Sequence, residues 1–101
     1  MLTSAAAIVD ALRARDLLGI AEEVCRRRGI TLADLCGRGR TQAVARARHE
    51  VWWTLRHDSG HHFSLAEIAA LFGRDHATVH HGIVAHRGRL ADGRSFADPD
   101  R

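Results

Sequence analysis

This 101-residue chain contains no lysine: all fifteen of its basic residues are arginine. Every cationic side chain is therefore a planar guanidinium fork, which suits phosphate and base-edge contacts better than an ammonium point charge. Proline is almost missing as well. Pro99 is the single one, so nothing breaks helices internally. Cysteine is scarce, and Cys25 and Cys36 form no CxxC pair, a pattern that fits free thiols in a reducing cytoplasm. No stretch approaches the roughly 18 apolar residues of a membrane span. Residues 5–9 (AAAIV) are apolar, but the MLTS before them carries no positive charge, so no signal peptide is expected. Strand-like alternation, repeats and low-complexity tracts are all lacking. At 46% hydrophobic, the chain has material for one small core, and two domains would leave too little to bury in each.

What is present is a charge asymmetry and a run of helix signals. The formal net charge of +3 hides a central basic block. Residues 26–56 hold eight arginines against two acids, whereas residues 1–25 hold two against four and residues 57–101 hold five against six. A basic centre between weakly acidic ends points to a localised polyanion site. Residues 4–14 (SAAAIVDALRA) read as an N-terminal helix, and residues 16–28 as a second, with Leu17, Leu18, Ala21, Val24 and Cys25 at helical spacing and Gly29 as its C-terminal cap. Thr31, with Asp34 three positions on, caps a short helix (TLADLC) that Gly37 closes. GRGR (37–40) is a basic loop. The spacing predicts a long helix from Gln42 to about His57, on which Val44, Val51 and Leu55 share a narrow arc with Trp52 at its edge. Trp52 and Trp53 read as core and half-core residues rather than a stacking platform. DSGHH (58–62) is a turn. Ser64-x-x-Glu67 is a capping box opening a helix with Leu65, Ile68, Ala69 and Phe72 on its apolar face. Gly73 turns the chain into a last helix, capped near Asp75 and running to about Leu90, followed by a polar, frayed tail. The class is all-α, with five to six helices.

The stretch SLAEIAALFGRDHATV (64–79) is the most telling motif. It is a helix, a one-glycine turn and a second helix with small or hydrogen-bonding side chains in its first turn, the form in which a helix-turn-helix enters the major groove. It resembles the signature of the DNA-binding, C-terminal domain of the bacterial replication initiator DnaA, whose usual form there is Arg-Asp-His-Thr-Thr-Val. The resemblance runs from about Ile20 to Arg87 through ITLADLC, the basic loop and VARAR. It implies a DnaA C-terminal, Trp repressor-like fold over residues 16–90, with residues 1–15 as a helical extension and 91–101 as a flexible tail. It further implies binding to double-stranded DNA at short asymmetric boxes, in association with the bacterial nucleoid, with the basic loop in the minor groove.

Position by position, the resemblance makes Arg40 the minor-groove arginine. Insertion of arginine there is favourable because a narrow A/T-rich groove has a strongly negative potential. Arg46, Arg48, His49 and Arg56 match backbone contacts, Arg48 with a base contact as well, although Arg48 also falls inside the apolar arc of its helix. Histidine at 49 replaces the usual glutamine. Arg74, Asp75, His76, Ala77 and Thr78 match the major-groove segment, with His81 farther along the same face. Asp75 can accept from a cytosine amine while capping its helix. Ala77 stands where the family has threonine; its methyl can touch a thymine methyl but the hydroxyl is gone, which implies an altered site preference. The family often has two glycines before Arg-Asp-His, and here there is only Gly73.

Other classes fit less well. Eight histidines invite a metal, but three or four converging ligands are not apparent and HExxH is absent, so no metal or cofactor is expected. GRGR lacks the phosphate-cradling pattern G-x-x-x-x-G-K-[ST], so neither nucleotide binding nor ATP-driven origin unwinding is expected of this chain, and no enzyme motif has supporting context. The histidines are expected to tighten DNA binding below roughly pH 6.5 by adding positive charge. Two roles follow, competition for DnaA boxes in replication control or transcription regulation at related sites. The alternative from another class is an interaction module that kept the fold and lost DNA binding, using apolar residues 5–12 as its contact. The sequence does not specify an oligomeric state.

Overall fold

A computed structural model of the chain describes residues 4–58 and 62–95. Six α-helices follow one another: α1 (Ala5–Ala14), α2 (Leu18–Arg28), α3 (Leu32–Cys36), α4 (Gln42–Trp53), α5 (Leu65–Phe72) and α6 (His76–Ser95), with a π-helical turn at Thr54–Asp58 after α4. No strand occurs among the described residues.

The helix ends follow local chemistry. Ser4 caps α1 through its side chain. Thr31 with Asp34, and Ser64 with Glu67, form complete capping boxes, each satisfying two orphan backbone donors of a first turn. Thr41 caps α4. Gly29 and Gly73 leave their helices at φ 70° and 62°, in the left-handed region where a glycine pays no Cβ penalty. Between α1 and α2 the tight reversal falls on Asp16, at φ 59°.

The long helix expected to reach His57 keeps regular α geometry only to Trp53. The following wider turn holds Leu55 fully in the core while the chain reverses toward Phe63, whose backbone N–H donates to the Leu55 carbonyl. Of the expected DSGHH turn, residues 59–61 lie outside the described residues. The last helix continues past Leu90 to Ser95, and residues 96–101 of the expected tail are likewise outside them.

One core joins all six helices. Ile8, Leu12, Leu17, Leu35, Trp52, Leu55, Ile68, Phe72 and Val79 are each almost wholly removed from solvent. Ile8 and Leu12 come from the segment the sequence set apart as an extension, so α1 is built into the same core as the helix-turn-helix. Trp52 stands edge-on to Phe72, with centroids 5.9 Å apart. The most extensive helix contact is between α4 and α6, and Gly82 permits it. A Cβ there would lie 2.6 Å from the Trp52 ring and 2.7 Å from the His49 ring. Trp53, by contrast, is half-buried.

Candidate nucleic-acid interface

The turn between α5 and α6 is built by two backbone bonds back to α5. The N–H of Arg74 donates to Ala69 and that of Gly73 to Ala70, a Schellman arrangement that needs the left-handed glycine. Asp75 then starts α6. Its Oδ1 accepts the backbone N–H of Thr78 at 2.7 Å, and that bond holds the carboxyl below the usual carboxylate range. The N-cap role of Asp75 is thus a structural fact that leaves only part of its carboxylate for any ligand. Val79 and Ile83 face the core. His76, Ala77, Thr78, His80 and His81 all face solvent, which gives α6 an exposed first turn and a half on a rigid, buried backing.

The basic loop is anchored from behind. Arg48, on α4, is only 7% exposed. Its Nε donates to the Leu35 carbonyl at 2.8 Å, its Nη1 to Gly39 at 2.8 Å, and its Nη2 to Asp34 at 3.1 Å and Gly37 at 2.7 Å. A guanidinium has five N–H donors, and these bonds occupy four of them. Burial and the nearby Arg74 both work against the charge of Arg48, and the four carbonyl dipoles compensate for it. The expectation that Arg48 reaches phosphate and base therefore meets a side chain that faces inward and holds the loop.

Arg74 performs the same service from the other side. Its Nη2 donates to the Gly37 carbonyl at 3.0 Å. One carbonyl thus receives an arginine from α4 and an arginine from the helix-turn-helix turn. Residue 37 must be glycine for this, since a Cβ would meet the Ala33 carbonyl oxygen at 2.7 Å. Beyond that anchor, Arg38 and Arg40 are exposed. The loop and the start of α6 are therefore parts of one surface.

The remaining predicted residues are placed unequally. Arg46 is exposed on α4. Arg56 is half-buried, donates from Nη1 to the Phe63 carbonyl at 3.1 Å, and lines a shallow recess with His80 and Arg87 on one flank of α6. His49 is half-buried against Trp52, with centroids 5.7 Å apart, and its Nδ1 lies 2.8 Å from Nη2 of Arg89. Burial first, and then the positive charge of Arg89, push its pKa down to about 4. With Arg89 as the donor, His49 Nδ1 is an acceptor, and at neutral pH the ring is neutral. His86 is also shifted down, chiefly by burial. His49 therefore does not supply the added charge expected below pH 6.5.

Sequence reasoning did not single out three structural supports. Gly82 had a signal, a glycine inside a helix with no turn to serve. The pairing of Glu50 with Arg27 and Arg28, which clamps α4 to α2, had none, because the partners lie 22 and 23 residues apart. The His49–Arg89 contact, 40 residues apart, had none either. No group of three or more His, Cys, Asp or Glu side chains fit to hold a metal occurs among the described residues, and no helix there is long and apolar enough to cross a membrane.

Comparison with known proteins supplies a family. Residues 19–85 match the family described as the bacterial dnaA protein helix-turn-helix. A similar protein is the chromosomal replication initiator protein DnaA of Thermomicrobium roseum, 36% identical over 85 residues that make up 74% of this chain and 18% of that protein. The chain thus spans under a fifth of the length of this curated relative. No solved structure matches it. On the family match, with its all-helical fold and anchored helix-turn-helix, this chain belongs to the DNA-binding helix-turn-helix family of bacterial DnaA.

Proposed function

We propose that this protein binds double-stranded DNA with sequence preference at DnaA-box-like sites and thereby modulates replication initiation or transcription. The observation that carries the reading is the Gly37 carbonyl shared by Arg48 and Arg74. It ties the basic loop to the helix-turn-helix, so that two elements suited to two grooves are presented in fixed relation. Arg40 would enter the minor groove. Asp75, His76, Ala77 and Thr78, with His81, would face the major groove. Arg46 and Arg56 would rest on phosphates, while Arg48 and Arg74 act by positioning the loop. The name of the Thermomicrobium roseum protein supports a link to replication; competition for its type of site is the form that link takes here.

The interaction-module alternative finds less support. Ile8 and Leu12, the large apolar residues of its contact segment, are spent inside the core. The test is substitution. Arg40→Ala and His76→Ala should each cost on the order of 1–3 kcal/mol on a box duplex and much less on a scrambled one. Equal losses on both duplexes would remove these residues from base reading.

A further inference from the structure

Arg89 is half-buried on α6 and differs from the ion-paired arginines of α1 and α2. Arg13, Arg15, Arg26, Arg27 and Arg28 all have carboxylate partners. Arg89 has none among the described residues; its partner is Nδ1 of His49, a neutral acceptor, at 2.8 Å. A charge held by an uncharged acceptor keeps its full attraction for an anion, whereas one paired with a carboxylate does not. Arg46 and Arg28 also face it, and their repulsion adds to burial in disfavouring the Arg89 cation. The nearby carboxylate, Glu50, is engaged by Arg27 and Arg28 rather than by Arg89.

Its position on α6 gives this deficit a direction. Thr78, Gly82, Ala85 and Arg89 are spaced four, three and four residues apart, so they return to one flank of the helix every turn. Eleven residues at a helical rise of 1.5 Å put Arg89 about 16 Å beyond Thr78. Between them Gly82 is covered by the Trp52 and His49 rings of α4, so the exposed Thr78 and the half-buried Arg89 mark two points along the α4–α6 edge. Arg46 and His49 lie three apart on α4 and flank the same edge.

We infer that Arg89, held by His49 and paired with Arg46 across the α4–α6 edge, forms a phosphate-binding site for the DNA backbone bordering the groove that α6 enters. This deepens the DNA-binding reading and rests on it. His49 is turned to an internal task, and the guanidinium it holds, rather than its own ring, is the group left for a phosphate. Arg89 reads no base, since a phosphate contact positions a duplex without distinguishing sequences.

The experiment is fluorescence anisotropy with box and scrambled duplexes over a salt series, comparing the wild type with Arg89→Ala and Arg89→Lys. Arg89→Ala should weaken binding to both duplexes by a similar factor, about 3- to 10-fold near 150 mM salt, and lower the magnitude of the log–log salt slope by about 1. Arg89→Lys keeps the charge and should keep the slope. A merely structural role would change stability and leave the slope alone, which thermal melting of each variant would reveal. An unchanged slope for a folded Arg89→Ala variant, with wild-type binding intact, would overturn this inference only. Failure of the wild type to bind either duplex would overturn the DNA-binding reading and the inference together.

Discussion

The residue that most repays attention is Arg48, because its chemistry distinguishes positioning from contact. A phosphate contact tolerates lysine, which keeps the charge. A guanidinium that serves four carbonyls in a fixed fork does not, because an ammonium has three donors on a different geometry. Arg48→Lys should therefore lose about 1–3 kcal/mol of stability from unsatisfied buried carbonyls and lose preference for a box over a scrambled duplex. Denaturant melts and paired binding curves would check both; retention of both properties would return Arg48 to the phosphate contacts. His49 sets a pH dependence at the same scale. Its folded pKa, about 4, lies below its ordinary value near 6.5. The unfolded chain therefore binds the proton first, so the stability from a neutral His49 is present above about pH 6.5 and is lost as pH falls toward 4. His86 shifts in the same direction. The wild type should lose more melting temperature between pH 7 and pH 5 than His49→Gln does. Equal losses would show that His49 is not held neutral.

At the scale of elements, the two helix pairs are supported by different means. The α4–α6 crossing depends on having no side chain at 82, and Gly82→Ala should overpack it at a cost of about 1–3 kcal/mol. That is opposite in sign to the gain expected for the same substitution at an exposed helix position, and chemical denaturation would decide between them. The docking of α1 rests on Ile8 and Leu12. Leu12→Ala should cost about 2–5 kcal/mol, as truncations in a packed core do. A cost near zero would make α1 an appendage. Elements are also where the sequence was most legible. Thr31-x-x-Asp34 and Ser64-x-x-Glu67 announced two helix starts, Gly29 and Gly73 two helix ends, because capping is decided within three or four residues. The inward turn of Arg48 was half-visible, since it sat in an apolar arc, but its carbonyl partners lie 9 to 14 residues back across two turns. The join of Arg74 to Gly37 spans 37 residues, and local spacing carries no trace of it.

For the whole molecule, the consequence of these contacts is a single face. The loop with Arg38 and Arg40, the exposed start of α6, and Arg46 on α4 are held together by one core and one shared carbonyl. The charge count agrees: the block from 26 to 56 carries a net +6, and Glu50 within it and Glu23 outside it pair with arginines of α2 rather than with those of the loop. What remains is a basic surface on a protein of this family, which the proposed function places against two grooves at once. The most direct test is anisotropy of a labelled duplex carrying a consensus DnaA box against a scrambled duplex, titrated with the wild-type protein near 150 mM salt. Tighter binding to the box, weakening steeply as salt rises, is the predicted result. Absence of binding to both duplexes, by a protein shown to be folded, would contradict it.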